Sequence, residues 1–334
     1  MNTYKNIAIN KNFYQTGDFS SQLESLDPSD AYNGSDLGGL DAFERQLKRF
    51  DIKVKGERSD TLSKFFQTSD SSALFPEYIA RATKQGVNDN QILADIIASK
   101  TNINGLDYRT IHANTTDKDA PIIAEGTQIP VTEITLKDSL VKLKKRGRML
   151  SASYEAVKFQ KIDLFTVALK QIGSYIGKAQ LKDAIDVLLK GDNGTTAAKE
   201  IQTAASGKLT YADLIKLWGE FDEFEMNTLL VSPDMMLKML EIPELANPTT
   251  GLNFQATGKL TTPLGATLIK SSVVPNGTII GIDKRYALEM VCAGDITVEY
   301  DKLIHTQLER ASVTAITGFS RIFADSVRTL KLKS

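Results

Sequence analysis

The chain has little of what most enzymes and secreted proteins rely on. Cys292 is its only cysteine, so an internal disulfide is impossible and a thiolate metal cluster cannot be built. That usage fits a chain made in a reducing cytoplasm. Only two histidines occur, His112 and His305, far apart and with ordinary carboxylate neighbours such as Asp107 and Asp301. A lone histidine on a strand is more often structural or solvent-facing than catalytic. No G-x-S-x-G, Walker or Rossmann phrase is present. DKDA and DPSD are acidic but lack the oxygen spacing and glycine of a calcium loop. Trp218, the sole tryptophan, reads as a packed core residue, and Met226, Met235, Met236 and Met239 read as core filler. No catalytic residue, cofactor or metal site is therefore assigned, and the chain is not expected to be an enzyme.

Charge of one sign is also lacking. The chain has 40 basic and 41 acidic residues, a net charge of −1, whereas a protein built to grip nucleic acid carries a clear positive excess. No apolar run approaches the ~20 residues of a membrane helix. The start, MNTYKNIAINKNFYQ, has no apolar signal-peptide core, so neither secretion nor a membrane partner is expected. What remains is 334 residues, 42% hydrophobic, enough for a real core and for two or three lobes.

Residues 16–41 are rich in Ser, Asp and Gly and read as an extended or mobile arm. In LDAFERQLKRF, Leu40, Phe43, Leu47 and Phe50 recur at helical spacing. So short a helix is not stable alone and must dock, on its own body or on a neighbouring chain. Asn90 to Lys100 reads as a helix and Leu106–Ala113 as a strand. A long polar excursion follows. Within it Thr132–Lys137 alternates with period two, LKDSL holds the turn, and the return arm alternates again.

That return arm, VKLKKRGRML, puts Lys142, Lys144, Arg146 and Arg148 on one face and Val141, Leu143, Gly147 and Met149 on the other. The charge is written with strand period. A basic strand face that resists edge pairing, or one that meets acidic residues of another subunit, is favoured over sequence-reading DNA contacts. From Tyr154 to Lys190 the pattern is helical throughout, with Ile162, Phe165, Leu169, Ile172, Ile176 and Ala179 stepping by three and four; Gly191 stops it. Gly173 and Gly177 lie four apart, where another backbone could approach closely. Beyond it the texture is α/β. Tyr211–Phe224 is a helix and NTLLVS a buried strand. Ser232 and Pro233 open the next helix, and a long loop runs from Pro243 to Gly265. Several strands then end the chain.

The order of these phrases resembles that of tailed-bacteriophage major capsid proteins of the Hong Kong 97 fold. The phrases are LFPEYIA, then IIAEGTQIPVTEITLKDSLVKLKKRGRMLSASYEAV, LLKGDNG, LVSPDMMLKML and TPLGATLIKSSVVPNGTIIGID. The similarity runs from about Leu74 to the C-terminus. It implies an α+β capsid fold. Residues 1–73 would be an N-terminal arm, 74–112 the start of the peripheral (P) domain and 113–145 an extended β-hairpin, the E-loop. Residues 146–195 would hold the spine helix, 196–290 the axial (A) domain and 291–334 the C-terminal strands of the P domain. It further implies a homo-oligomer of pentamers and hexamers that closes into an icosahedral shell around double-stranded DNA, assembled in the bacterial host cytoplasm. Scaffolding, portal and decoration proteins are candidate partners, and contact with DNA would be nonspecific. An encapsulin-type shell around a protein cargo is the alternative within the same fold.

On this resemblance Leu40, Phe43, Leu47, Phe50, Lys142, Lys144, Arg146 and Arg148 are the candidate inter-subunit contacts. Some members weld their shells by a Lys–Asn bond. The E-loop offers Lys118 and Lys137, but TVEYDKLIHTQLERASVTAI contains no asparagine, so no such bond is expected. The arm is shorter than the N-terminal segments some members remove, and is expected to stay.

Overall fold

The computed structural model describes residues 7, 19–89, 92–113, 122–123, 125, 134–192, 195–246 and 264–333. In chain order, the helices and strands begin with α1 (Phe19–Leu26), α2 (Ala42–Arg49), α3 (Ser69–Ala73), α4 (Phe75–Asn88) and α5 (Ile92–Ile96). Then come β1 (Ser99–Ile103), β2 (Ile111–Ala113), β3 (Ile134–Leu136), β4 (Lys144–Ser153), α6 (Tyr154–Phe159) and α7 (Ile162–Lys190). The next stretch holds β5 (Lys199–Gln202), α8 (Tyr211–Gly219), β6 (Thr228–Val231), α9 (Pro233–Leu240), α10 (Pro243–Ala246) and β7 (Thr267–Lys270). The chain finishes with β8 (Thr278–Ile282), β9 (Leu288–Ala293), β10 (Thr297–Leu303), β11 (Leu308–Arg321) and β12 (Val327–Lys331). It divides into two compact units, and α7, β4 and β11 each contribute residues to both.

The first unit takes Met1–Asn90, Arg146–Gly177 and Ile296–Ala315. Its core gathers Leu23, Phe43, Leu47, Leu62, Phe65, Ile79, Ile162, Leu169 and Val313. Residues 19–41, expected to be an extended arm, instead fold back as α1 and a tight turn. The cause is a buried ion pair: Arg45 on α2 donates through Nε to Asp27 Oδ2 at 2.9 Å, and its guanidinium lies 4.4 Å from the Tyr32 ring centre. Helix α2 itself starts on a capping box, with Glu44 N donating to Asp41 Oδ1 at 2.8 Å and Asp41 N to Glu44 Oε2 at 3.3 Å.

The long helix is not continuous from Tyr154. It breaks at Gln160, whose ψ of 130° is extended. Leu62 N donates to Gln160 O at 3.0 Å and Ile162 N to Asp60 O at 2.9 Å. The N-terminal segment thus supplies the backbone partners that the helix gives up there. Gly173 does admit a second backbone: a Cβ there would collide with Thr83 O, and one at Gly86 would collide with Lys170 O. Helices α4 and α7 touch main chain to main chain at these two glycines.

The second unit takes Gln91–Lys145, Lys178–Asp295 and Ile316–Ser334. Its main sheet has the order β5-β12-β8-β6-β7, with β12–β8 and β8–β6 antiparallel and the two edge pairs parallel. Leu229, Val231, Ile279 and Leu330 face α8 and α9, whose Leu214, Leu217, Met235 and Met239 cover them. Leu230, Ile280, Ile282 and Val327 face the other way, onto Leu181, Ala184, Ile185 and Leu188 of α7. Burial on both faces is why TLLV and TIIGI read as unbroken apolar runs. Beside them β1 pairs with β9 in parallel, and β9 pairs with the end of β11 antiparallel. The helix expected over Asn90 to Lys100 is cut short at Ile96, because Ser99–Ile103 is drawn into that pairing with β9. Most of the loop expected from Pro243 to Gly265 lies outside the described residues, apart from α10 and the last two positions.

Candidate functional site

The hairpin and the basic strand that leaves it carry most of the residues singled out by sequence. The hairpin root is β2 against β3, with Ile111 opposite Leu136 and Ala113 opposite Ile134. Lys137 N donates to Thr110 O at 2.9 Å and Val141 N to Tyr108 O at 2.8 Å, extending the root toward the body. Lys118 lies outside the described residues.

Each arm of the root ends on an acid, Glu289 buried and Asp192 largely so. On the outgoing arm, Thr101 Oγ1 and Tyr108 OH donate to Glu289 Oε1 at 2.6 and 2.7 Å, and Thr110 Oγ1 donates to Glu289 Oε2. Burial, and then the Glu289 carboxylate, push the Tyr108 phenol up from its ordinary value. On the returning arm, Lys137 is buried and donates from Nζ to Arg321 O at 2.6 Å and to Asp192 Oδ2 at 3.3 Å. Asp192 also accepts from Thr195 Oγ1 at 2.8 Å, from Arg321 N at 3.1 Å and from Ser320 Oγ. Burial alone would raise the Asp192 carboxyl, but these hydroxyl donors and the Lys137 ammonium outweigh it and hold it below the usual range. Lys137, one of the two hairpin lysines weighed for a cross-link that is not expected, is therefore committed to its own chain. No sequence pattern marked Glu289, whose partners lie far away along the chain; Asp192 stands in LLKGDNG, but nothing there pointed to Lys137.

The basic strand is likewise engaged within the chain. Lys144 Nζ donates to Asp183 Oδ1 at 2.6 Å, and the Arg148 guanidinium lies 4.8 Å from the Tyr175 ring centre; both partners sit on α7. Lys144 thus has an acidic partner, Asp183, within its own chain. Arg146 is half-buried, whereas Lys142 is exposed. On the opposite strand face Gly147 leaves no room for a side chain: a Cβ would sit 2.6 Å from Val313 O. Of the apolar residues placed on α2 and its flanks, Phe43 and Leu47 are buried in the core of the same unit, and Leu40 and Phe50 are half-buried.

Sequence reasoning missed a set of exposed apolar side chains. The hairpin and its approaches expose Leu106, Ile111, Ile122, Ile123, Leu136 and Leu140. In the first unit Met149, Phe159, Leu164 and Val167 are exposed beside a groove of about 340 Å³. On α8 and α9, Ile215, Trp218 and Leu237 face outward, so Trp218 is half exposed rather than packed. The signal was present on α7, where Leu164 and Val167 fall outside the Ile162–Phe165–Leu169 stripe and make the helix apolar on more than one side.

Chemistry for catalysis does not converge here. Among the described residues no group of three or more His, Cys, Asp or Glu could hold a metal ion, and no helix is long and apolar enough to cross a membrane. Cys292 is buried, and burial pushes its thiol up from its ordinary value.

Residues 136–311 match the family described as phage capsid protein. No curated protein matches the chain in sequence. Among solved structures, the capsid of a native GTA particle has a TM-score of 0.54 at 14% identity, covering 72% of this chain and 90% of that one. The capsid of the cyanophage P-SCSP1u gives 0.54 at 13% identity, covering 72% and 88%. A virus-like particle from Pyrococcus furiosus gives 0.52 at 14% identity, covering 76% and 98%. The α+β fold is thus that of Hong Kong 97-like capsid structures, as the sequence phrases implied. The match over residues 136–311 spans more than half of the chain, and the chain belongs to the phage capsid protein family, whose members are structural proteins rather than enzymes.

Proposed function

We propose that this chain is the major capsid protein of a tailed phage, assembling as pentamers and hexamers into an icosahedral shell around double-stranded DNA. The observation that carries this is the family match over the hairpin's return arm, the spine helix and the sheet that follows. The exposed apolar hairpin supports it, because a lone soluble chain gains nothing from leaving Ile122 fully in water. In this reading residues 113–145 lie across a neighbouring subunit, and residues 196–290 meet their copies around the capsomer axis. Lys142 and Arg148, which are exposed, and Leu40 and Phe50, which are half-buried, are the sequence-chosen residues best able to contact a neighbour. Assembly takes place in the host cytoplasm, with scaffolding, portal and decoration proteins as candidate partners. Contact with DNA is nonspecific and weakens steeply with salt.

The test is negative-stain electron microscopy of the purified chain after size exclusion, repeated on particles from a phage lysate. Closed shells or rings of five and six support the reading. Absence of the chain from the lysate particles would falsify it. The content of the particles separates the phage shell from an encapsulin-type shell: double-stranded DNA supports the first, a protein cargo the second.

A further inference from the structure

We propose that the Asn104–Gly105 step is a site of self-modification, where the folded chain converts an asparagine to aspartate and isoaspartate. The chain holds four Asn-Gly steps, at Asn33, Asn104, Asn193 and Asn276. Each places a short amide side chain before a residue without a Cβ, so the next peptide nitrogen can swing toward the side-chain carbon. The reaction makes two demands on the fold. The Gly nitrogen must not be committed to an acceptor, and the backbone must be able to turn that nitrogen toward Cγ. Asn193 lies outside the described residues. The other three steps differ.

At Asn276 the nitrogen is taken, since Gly277 N donates to Asp234 Oδ2 at 2.8 Å. At Asn33 the backbone is held. Ser35 N donates to Tyr32 O at 3.0 Å, Asn33 has φ −56° and ψ 127°, and Gly34 has φ 80°, which together make a closed type II turn. That ψ keeps the Gly34 nitrogen out of line with the Asn33 Cβ, and ring closure would break the turn bond. Asn104 meets neither obstacle. It and Gly105 are exposed, in the bend that follows β1. Among the described residues Gly105 N has no hydrogen-bond partner, and no backbone bond closes a turn over the step. The space around Gly105 is open, with nothing within 4 Å of an added Cβ.

The chemistry needs only water. Gly105 N bonds to Asn104 Cγ, and Nδ2 leaves as ammonia with the peptide proton. Water then opens the five-membered imide. Cleavage at Cγ gives aspartate; cleavage at the main-chain carbonyl gives isoaspartate and carries Cβ into the backbone. The sum is asparagine plus water to the acid plus ammonia. Either product sets a new carboxylate near Asp107, in the loop between the Ile103–Ala293 pairing and the Tyr108 hydroxyl on Glu289. The lost amide is not restored, so the extent of conversion records the age of the chain.

The test is peptide mass spectrometry of the full chain, aged folded in mildly alkaline buffer and then cut with trypsin. Thr101–Arg109 carries Asn104, Ser271–Lys284 carries Asn276 and Asn12–Arg45 carries Asn33. Fragment masses separate residue 104 from Asn102. Asn104 should convert about tenfold or more faster than the other two, because the held steps must open before they react. In urea the three rates should draw together. Gly105→Ala fits the open space, and Gly105 lies outside the left-handed φ region, so this variant should keep the thermal midpoint while losing most of the conversion. Isoaspartate in the product marks the imide route, and aspartate alone overturns it. Equal rates in the folded chain, faster conversion at Asn33 or Asn276, or a Gly105→Ala chain that ages like wild type overturn the assignment. The same ordering in urea would trace the preference to neighbouring sequence and overturn the role of the fold.

Discussion

At the scale of the residue, buried acids define how this chain is held. Lys137 and Asp192 are nearly excluded from water, with side-chain exposures of 7% and 13%, and each satisfies the other. Removing one partner of such a pair strands the remaining charge, whereas replacing both removes the problem. We expect Lys137→Met to destabilise the unassembled subunit by about 3 kcal/mol in urea, and Lys137→Met/Asp192→Leu by clearly less than the single change. Equal losses would show the pair to be energetically idle. Asp283 provides a second case. Burial opposes its ionisation, yet Arg285, the Glu225 backbone N–H and Asn227 pull its carboxyl down from 3.8 to about 2. A depressed carboxyl adds stability above its unfolded value, and that stability is lost as pH falls through the folded one. The denaturation midpoint should therefore fall between about pH 4 and pH 2, and more shallowly in Asp283→Asn. An identical acid slope in the variant would rule Asp283 out as a contributor. The sequence hid both anchors, because an isolated Asp or Glu looks the same whether its partners are water or distant hydroxyls.

At the scale of the element, periodicity was a good guide and boundaries were not. Period two marked the hairpin arms and the basic strand, and period three to four marked α7, because side-chain direction follows backbone geometry directly. The break at Gln160 was invisible, since its cause lies in Asp60 and Leu62, about a hundred positions earlier. The spacing of Gly173 suggested a close backbone approach, but only the structure names Gly86 as the other side of it. Two effects oppose each other there. Alanine favours a helix over glycine by about 1 kcal/mol. At Gly173 that gain is outweighed, because the new Cβ would overlap the Thr83 carbonyl, which is backbone and cannot swing aside. Gly173→Ala should lower the thermal midpoint of the subunit, while Gly219→Ala, at a helical position with nothing nearby, should raise it or leave it unchanged. A stabilised Gly173→Ala would mean that the two helices do not touch.

At the scale of the whole molecule, the capsid fold was legible in the order of phrases, but the surfaces that assembly would use were not. Exposure is a property of the finished fold, and apolar residues such as Leu164 and Trp218 carry no mark in the sequence that they will face outward. Trp218 offers a direct reading, since it is the sole tryptophan and is 49% exposed. Its emission in the unassembled subunit should be readily quenched by acrylamide. If α8 is covered between copies, assembly should shift that emission to the blue and slow the quenching. Unchanged quenching in closed shells would place α8 on a solvent face.

The threading of the two units also bears on when during synthesis the subunit becomes usable. The first unit needs residues from Met1 through Ala315, and the main sheet of the second needs β12, Val327–Lys331, which lies between β5 and β8. A chain that stops before Ile296 holds all of neither unit, and one that stops between Ala315 and Val327 holds all of only the first. We therefore expect chains cut before Val327 to keep the second unit protease-sensitive, a difference that limited proteolysis of such a truncation beside the 334-residue chain reads directly.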